Sequence, residues 1–367
     1  MQRTRCLYLT GTAFLCVAAV FFSCTKKDKI PVALMTKLES GSIVGSSEVN
    51  AAKFFLEEHK SSRIDIFPID DKWSPADALA AYKSIRKKGI NILVTSHVST
   101  CAVEIMDQIN QDRVFTLVTG ATTDLLSKKD DYIFRVIPDV EEEQKRIAEY
   151  IGKLPGSNLL VIRDLDNDAY TTPAFTYFKK FCRKKTIHLI DIRVSRMDMT
   201  DLSAKMKKTG FDILYLLVGG YKSHIGGIAQ MTVVINPSCR IVFTPWMKSP
   251  NLVETAGGAL KNAVMPSHYP AREANSAVDA YIDKFRKRYG HAPTFISLNV
   301  YGALEVLNDA FEAGFVTPDE IRAYMLRKKT FKTSFGEIRF NSCGDVHSEL
   351  YFVTDVAREF RDRKSVV

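Results

Sequence analysis

Two short stretches concentrate small hydroxyl side chains at spacings suited to holding a polar ligand. The first contains Thr95, Ser96, Ser99 and Thr100, and the second contains Thr119, Thr122 and Thr123. Each follows an apolar run, Ile90–Val94 and Val114–Val118, that reads as a buried parallel strand. In an open α/β sheet, ligands sit beyond the carboxyl ends of such strands, where the N-termini of helices present free N–H groups. The two loops therefore suit a small polar ligand. The same residues admit a plainer reading, in which Ser99 and Thr122 cap the elements that follow them. His97 and Cys101 fall in the first stretch, and a Cys–His pair can act as a nucleophile. The two straddle a loop–helix junction, which need not bring them together. The chain has no GxSxG, HExxH, GxxxxGK[ST] or strand-following GxGxxG, so the residues point to binding and not to catalysis.

The elements that must position these loops alternate strand and helix. Ile30–Thr36 is the first strand, a Ser/Gly-rich loop spans Lys37–Ser47, and a helix follows over Glu48–His59. Ser74-Pro75 opens the next helix, with Ser at the cap and Pro at the first position. The strand–helix cycle runs again from Asn158 to Thr244, with Asp212–Val218 as a buried strand. Phe335–Phe340 and Glu349–Val353 read as final strands. This predicts an α/β fold of two domains with mostly parallel sheets.

The 367 residues suffice for two domains at ~150 residues each. A hydrophobic fraction of 46% with 25% charged residues is ordinary for a globular chain. The formal charge of +9 is spread along the chain, and its densest runs end helix-like segments, where they suit the helix dipole. No nucleic-acid module accompanies it, so no nucleic-acid partner is expected. The cysteines show no CxxC spacing, so no metal site is expected; no cofactor is indicated either. Cys101, Cys182, Cys239 and Cys343 are expected to be mostly buried free thiols.

Residues 1–23 read as an export signal: Arg3 and Arg5, then an apolar run from Cys6 to Phe22. Phe21-Phe22-Ser23-Cys24 resembles a bacterial lipoprotein box, which makes Cys24 the lipidated residue and residues 24–29 a tether. Loss of Arg3 and Arg5 would lower the formal charge from +9 to +7.

From Ile30 to Phe352 the chain resembles the leucine/isoleucine/valine (branched-chain amino acid) substrate-binding family of ABC transporters, the type I periplasmic binding proteins. The landmarks are Gly120-Ala121-Thr122, Tyr132-Ile133-Phe134-Arg135, the acidic loop ending in Tyr170, Gly219-Gly220-Tyr221, and Gly336-Glu337-Ile338-Arg339-Phe340. The resemblance implies two lobes, each a mostly parallel sheet flanked by helices, joined by three crossovers. Lobe 1 would be residues 30–138 plus 269–341, and lobe 2 residues 139–267 plus 346–367. It also implies ligand contacts at Ser99, Ala121 and Thr122 from the first lobe and at Tyr170 and Tyr221 from the second. Two positions depart from the family pattern. Thr95 stands where Gly is usual, and Trp246 stands where amino-acid binders carry an acid for the ligand ammonium. Either another carboxylate substitutes, with Asp166 and Asp168 as candidates, or the ligand has no α-ammonium. Trp246 would then stack on a flat or cationic ligand.

The implied function is a membrane-anchored, exported solute-binding lipoprotein that presents a small polar solute, an amino acid or amino-acid-like, to ABC permease subunits. An extracytoplasmic sensing domain of the same fold, or a surface lipoprotein that has lost its ligand, are the alternatives.

Overall fold

The computed structural model describes residues 28–39, 42–220, 224–271 and 274–360. The export signal, Cys24, Tyr221 and residues 361–367 lie outside the described residues.

The chain runs β1 (Ile30–Thr36), α1 (Ile43–Glu58), β2 (Ile64–Asp70), α2 (Pro75–Lys87), β3 (Ile92–Thr95), α3 (Ser99–Gln111), β4 (Phe115–Val118) and β5 (Ile133–Arg135). It continues through α4 (Val140–Lys153), β6 (Asn158–Asp164), α5 (Asp168–Phe181), β7 (Thr186–Ile192), α6 (Met199–Thr209), β8 (Ile213–Leu217), α7 (His224–Ile235), β9 (Arg240–Val242), α8 (Pro250–Ala256) and β10 (Ala263–Ser267). The last elements are α9 (Ser276–Tyr289), α10 (Phe295–Glu312), α11 (Pro318–Lys328), β11 (Thr330–Thr333), β12 (Gly336–Arg339) and β13 (Tyr351–Val353).

Among the described residues most of the strands build two main sheets. The first has the order β2-β1-β3-β4-β5 and is parallel throughout. The second has the order β13-β10-β9-β8-β6-β7 and is parallel except at its β10–β13 edge. Parallel strands covered by helices on both faces read as unbroken apolar runs, and every residue of β8 is buried. Alternation along β1 divides the first lobe's core. Val32 and Leu34 pack with α1, α9 and α10 on one face, and Ala33 and Met35 pack with α2 and α3 on the other. A single large cluster around Val161, Phe178 and Leu214 forms the core of the second lobe.

The chain passes between lobes three times: from β5 to α4, from β10 to α9, and from β12 to β13. The sequence places the start of α1 at Glu48, but the helix begins five residues earlier. Ser42 caps it by accepting from the Gly45 amide at 3.3 Å. Only glycine fits there, because a Cβ at position 45 would lie 1.6 Å from the Lys37 carbonyl oxygen. The β11–β12 pair is a two-stranded antiparallel ribbon, so Gly336–Arg339 joins neither main sheet. Cys101, Cys182 and Cys239 are buried free thiols, while Cys343 is partly exposed.

Arg135, the last residue of β5, is completely buried. Its Nε donates to Asp345 Oδ1 at 3.1 Å, Nη2 to Ser127 Oγ at 2.6 Å, and Nη1 to the carbonyls of Thr123 and Thr122 at 3.1 and 3.4 Å. Asp345 also accepts from the Lys128 amide at 2.8 Å. Removing one partner of a buried ion pair strands the other charge. Asp345→Ala is therefore expected to destabilise the protein by ~3 kcal/mol or more, measured as a lowered midpoint in chemical unfolding. A change within about 0.5 kcal/mol would mean that solvent reaches Arg135.

Candidate ligand-binding site

The two hydroxyl stretches lie at the carboxyl ends of β3 and β4 and face the second lobe. The capping reading fails at both positions. At the head of α3 the cap is Val98, and Ser99 is already inside the helix. In the next loop Thr123, not Thr122, accepts from the Leu125 amide, at 3.3 Å. Thr122 Oγ1 is buried without a hydrogen-bond partner.

Both residues line a crevice of about 540 Å³, mouth included, between the lobes. Val44, Trp73, His97 and Phe295 also line it from the first lobe; Asn167, Tyr170, Gly219, Trp246 and Lys248 line it from the second. The lobes touch around the crevice. The Thr100 amide donates to Asn167 Oδ1 at 3.4 Å, and Tyr177 donates to Asp124 Oδ2 at 2.9 Å.

The other expected contacts divide. Ala121 is fully buried in the first lobe's core and does not line the crevice, so its contribution is packing. Tyr221 lies outside the described residues. Tyr170 lines the crevice with its ring, but its hydroxyl donates to Glu143 Oε1 at 2.7 Å and is turned into the second lobe. Burial, with the Glu143 carboxylate beside it, pushes the phenol well above its ordinary pKa. Glu143 is itself raised to about 7 by burial, and His268, 3.7 Å away, is lowered to about 4 by burial. Asn167 donates to the Gly219 carbonyl at 3.2 Å. A Cβ at Gly219 would come within 2.4 Å of Asn167 Nδ2 and 2.9 Å of the Tyr170 ring, so the close approach of this loop requires glycine.

Trp246 is a crevice residue rather than a rim residue. It packs against Phe295 and His268 with ring centroids 5.5 and 5.6 Å apart and meets Tyr170 edge-on at 6.1 Å. Its Nε1 lies beside the Tyr170 hydroxyl without meeting it in full hydrogen-bond geometry. Neither acidic candidate reaches the crevice. Asp166 accepts from the Ser195 amide and hydroxyl at 2.8 and 2.9 Å, and Asp168 is exposed at the start of α5.

Sequence reasoning missed Trp73. Lys72 and Trp73 both adopt left-handed backbone, with φ of 48° and 54°. Asp70 and Asp71 stabilise that turn by accepting from the Lys72 and Trp73 amides at 3.0 and 3.1 Å. The Asp-Asp-Lys-Trp run before Ser74-Pro75 was the available signal, since Asp side chains favour such turns. The other oxygen of Asp71 meets His97 Nδ1 at 3.1 Å. One buried carboxylate thus sets both Trp73 and His97 into the crevice wall. Cys101 lies in the core, and burial pushes its thiol pKa up, so it forms no nucleophilic pair with His97.

Behind the first loop, Glu48 is fully buried and accepts from Thr36 and Ser96. Burial raises its pKa from 4.5 to about 8. The folded chain therefore holds this proton through a range where the unfolded chain has released it. Stability supplied by Glu48 is greatest below pH 4.5 and falls as pH rises toward 8. Glu48→Gln is expected to flatten that fall by on the order of 3 kcal/mol at neutral pH, seen in melting temperature against pH. An unchanged pH profile would refute a raised pKa at Glu48.

Comparison with known proteins agrees with this architecture. The family model described as "Periplasmic binding protein" matches residues 29–359. The leucine-, isoleucine-, valine-, threonine-, and alanine-binding protein of Pseudomonas aeruginosa is 23% identical over 76% of this chain and 74% of its own length. A leucine binding protein from Thermotoga maritima superposes with a TM-score of 0.79 at 18% identity, covering 88% of this chain and 94% of that one. An ABC transporter solute binding protein from Rhodopseudomonas palustris, solved in complex with 3,4-dihydroxy benzoic acid, gives 0.78 at 16% identity, over 89% and 93%. With the family model spanning nearly all of the two-lobed fold, the chain belongs to the periplasmic binding protein family.

Proposed function

We propose that this protein is the exported, lipid-anchored solute-binding component of an ABC importer, and that it captures a small polar solute between its lobes. The observation that carries this reading is the cluster of buried, unpartnered polar atoms on the crevice wall: Thr122 Oγ1, Trp73 Nε1 and Trp246 Nε1. Leaving a buried donor unsatisfied costs ~1–3 kcal/mol, a cost that a bound solute removes.

In this reading Ser99 and Thr122 hold the solute from lobe 1, residues 30–138 plus 269–341. Tyr170, Tyr221 and Trp246 close on it from lobe 2, residues 139–267 plus 346–367. The three crossovers absorb the backbone change on opening. Arg135 ties the first crossover to the third and keeps the Thr122 loop in place through that movement. Relatives named for branched-chain amino acids, and a structural neighbour solved with a dihydroxybenzoic acid, share one ligand feature, a carboxylate. The anchor would be Cys24, delivered by the signal of residues 1–23, and the permease subunits would receive the solute.

Calorimetry against amino acids, amides, nucleobases and small carboxylates tests the binding role. At least one solute is expected to bind and to raise the melting temperature. Thr122→Ala is expected to weaken that solute about tenfold. If no solute binds or shifts the melt, the reading fails. The anchor is tested separately: Cys24→Ser is expected to move the protein from the membrane to the soluble fraction, and unchanged partitioning would exclude lipidation there.

A further inference from the structure

The crevice wall is unbalanced in hydrogen-bonding character. Among the described lining residues none carries a carboxyl group. Four buried carboxyls stand behind the wall; each has at least one oxygen engaged by other protein groups, while Glu48 Oε1 and Glu143 Oε2 have no hydrogen-bond partner. Glu48 accepts from Thr36 and Ser96, and Asp71 meets His97 and the Trp73 amide. Glu143 accepts from Tyr170 and Gln144, and Glu359 meets Lys248 at 2.9 Å. The residues following Gly220 are Tyr221, Lys222 and Ser223, which add no acid by sequence.

On the wall itself the unpartnered groups are two indole N–H donors and a hydroxyl, which can donate or accept. The indole Nε1 atoms of Trp73 and Trp246 are buried and unpartnered, and an indole N–H cannot accept. The hydroxyl of Thr122 is buried and unpartnered beside them. His97 and Lys248 also line the wall, already held by Asp71 and Glu359. Helix α3 starts at Ser99 within the crevice and adds the positive end of its dipole. A ligand ammonium brings three donors and a positive charge into a site whose spare groups are two donors and a hydroxyl. A carboxylate brings acceptors and the opposite charge. Burying an ammonium without an anionic partner is strongly unfavourable.

The wall is also flat on two sides. Trp246 comes from the second lobe, and Trp73 reaches across from the first, its ring 3.7 Å from where a Cβ on Gly220 would lie. Two indoles and Phe295 favour a planar ligand over a tetrahedral, branched one.

Resting on the solute-binding reading above, we propose that this crevice selects a small carboxylate that has no ammonium and whose carboxyl is attached to a flat, sp² carbon. Aryl carboxylates and 2-oxo carboxylates both meet that description. The carboxylate lies toward Ser99, Thr122 and the start of α3, and the flat body lies between Trp73 and Trp246.

Calorimetry of the full-length exported protein decides this with three probes: leucine, 4-methyl-2-oxopentanoate, which has the same skeleton with an oxo group in place of the amino group, and benzoate. At least one of the two ammonium-free acids is expected to bind tenfold or more tighter than leucine. Any other result overturns the proposal. If leucine binds as well as both acids or better, the solute-binding reading survives and only the ligand class falls. If these probes and the wider solute panel are all silent, both fall. Trp246→Phe keeps a ring and removes the N–H, and is expected to weaken the favoured acid about tenfold without changing the melting temperature of the free protein by more than a few degrees. Unchanged acid affinity in that variant removes Trp246 as a donor. Trp246→Glu puts a carboxylate into the wall and is expected to shift preference toward leucine; an unaltered preference in the folded variant counts against the charge argument.

Discussion

A single buried guanidinium ties the Thr122 loop of the first lobe to the chain at the third crossover. Arg135 has no solvent to share its charge, so every N–H it carries needs a protein acceptor. It finds Asp345 near the third crossover, Ser127, and the carbonyls of Thr122 and Thr123. A planar fork of five N–H donors can reach more fixed acceptors than the three of an ammonium. The position of Thr122 therefore depends on a residue that touches no ligand, and on a partner 210 positions away in the chain.

The crevice shows the same economy on a smaller scale. Carboxyls are plentiful around it, but they are placed one layer back, where they orient other side chains. Asp71 aims His97 and Trp73, Glu143 turns the Tyr170 hydroxyl inward, and Glu48 supports Ser96. Among the described residues the crevice wall presents indoles, hydroxyls and flat rings, and no carboxyl. Burial raises the pKa of Glu48 and Glu143, so part of this hidden acidity is neutral near pH 7 and adds little negative potential to the crevice.

Local patterns were easy to read where one physical effect dominates. Ser74-Pro75 and Thr317-Pro318 open helices because capping and a fixed φ act within four residues. The strands at β1, β3, β4 and β8 are legible because strands covered on both faces must be apolar throughout. The start of α1 was not, because it depends on Gly45 passing close to the Lys37 carbonyl, a contact between backbone segments. The β11–β12 ribbon was half legible: its second strand had the expected pattern, but its partner is fixed only by pairing.

For the site, the sequence by itself determined that hydroxyl-rich loops follow β3 and β4, that no catalytic motif accompanies them, and that an indole stands at position 246. Those properties reside in residue type and short spacing. Only the tertiary structure decided which of the hydroxyls are caps and which face the crevice, since Thr122 and Thr123 are neighbours with opposite fates. It also decided that Ala121 packs inward, that the Tyr170 hydroxyl is already engaged, and that Trp73 lines the crevice. Each of those outcomes turns on which way a side chain points and which distant group meets it. Such facts follow from burying two sheets against their helices and closing one lobe on the other, and no local pattern encodes them.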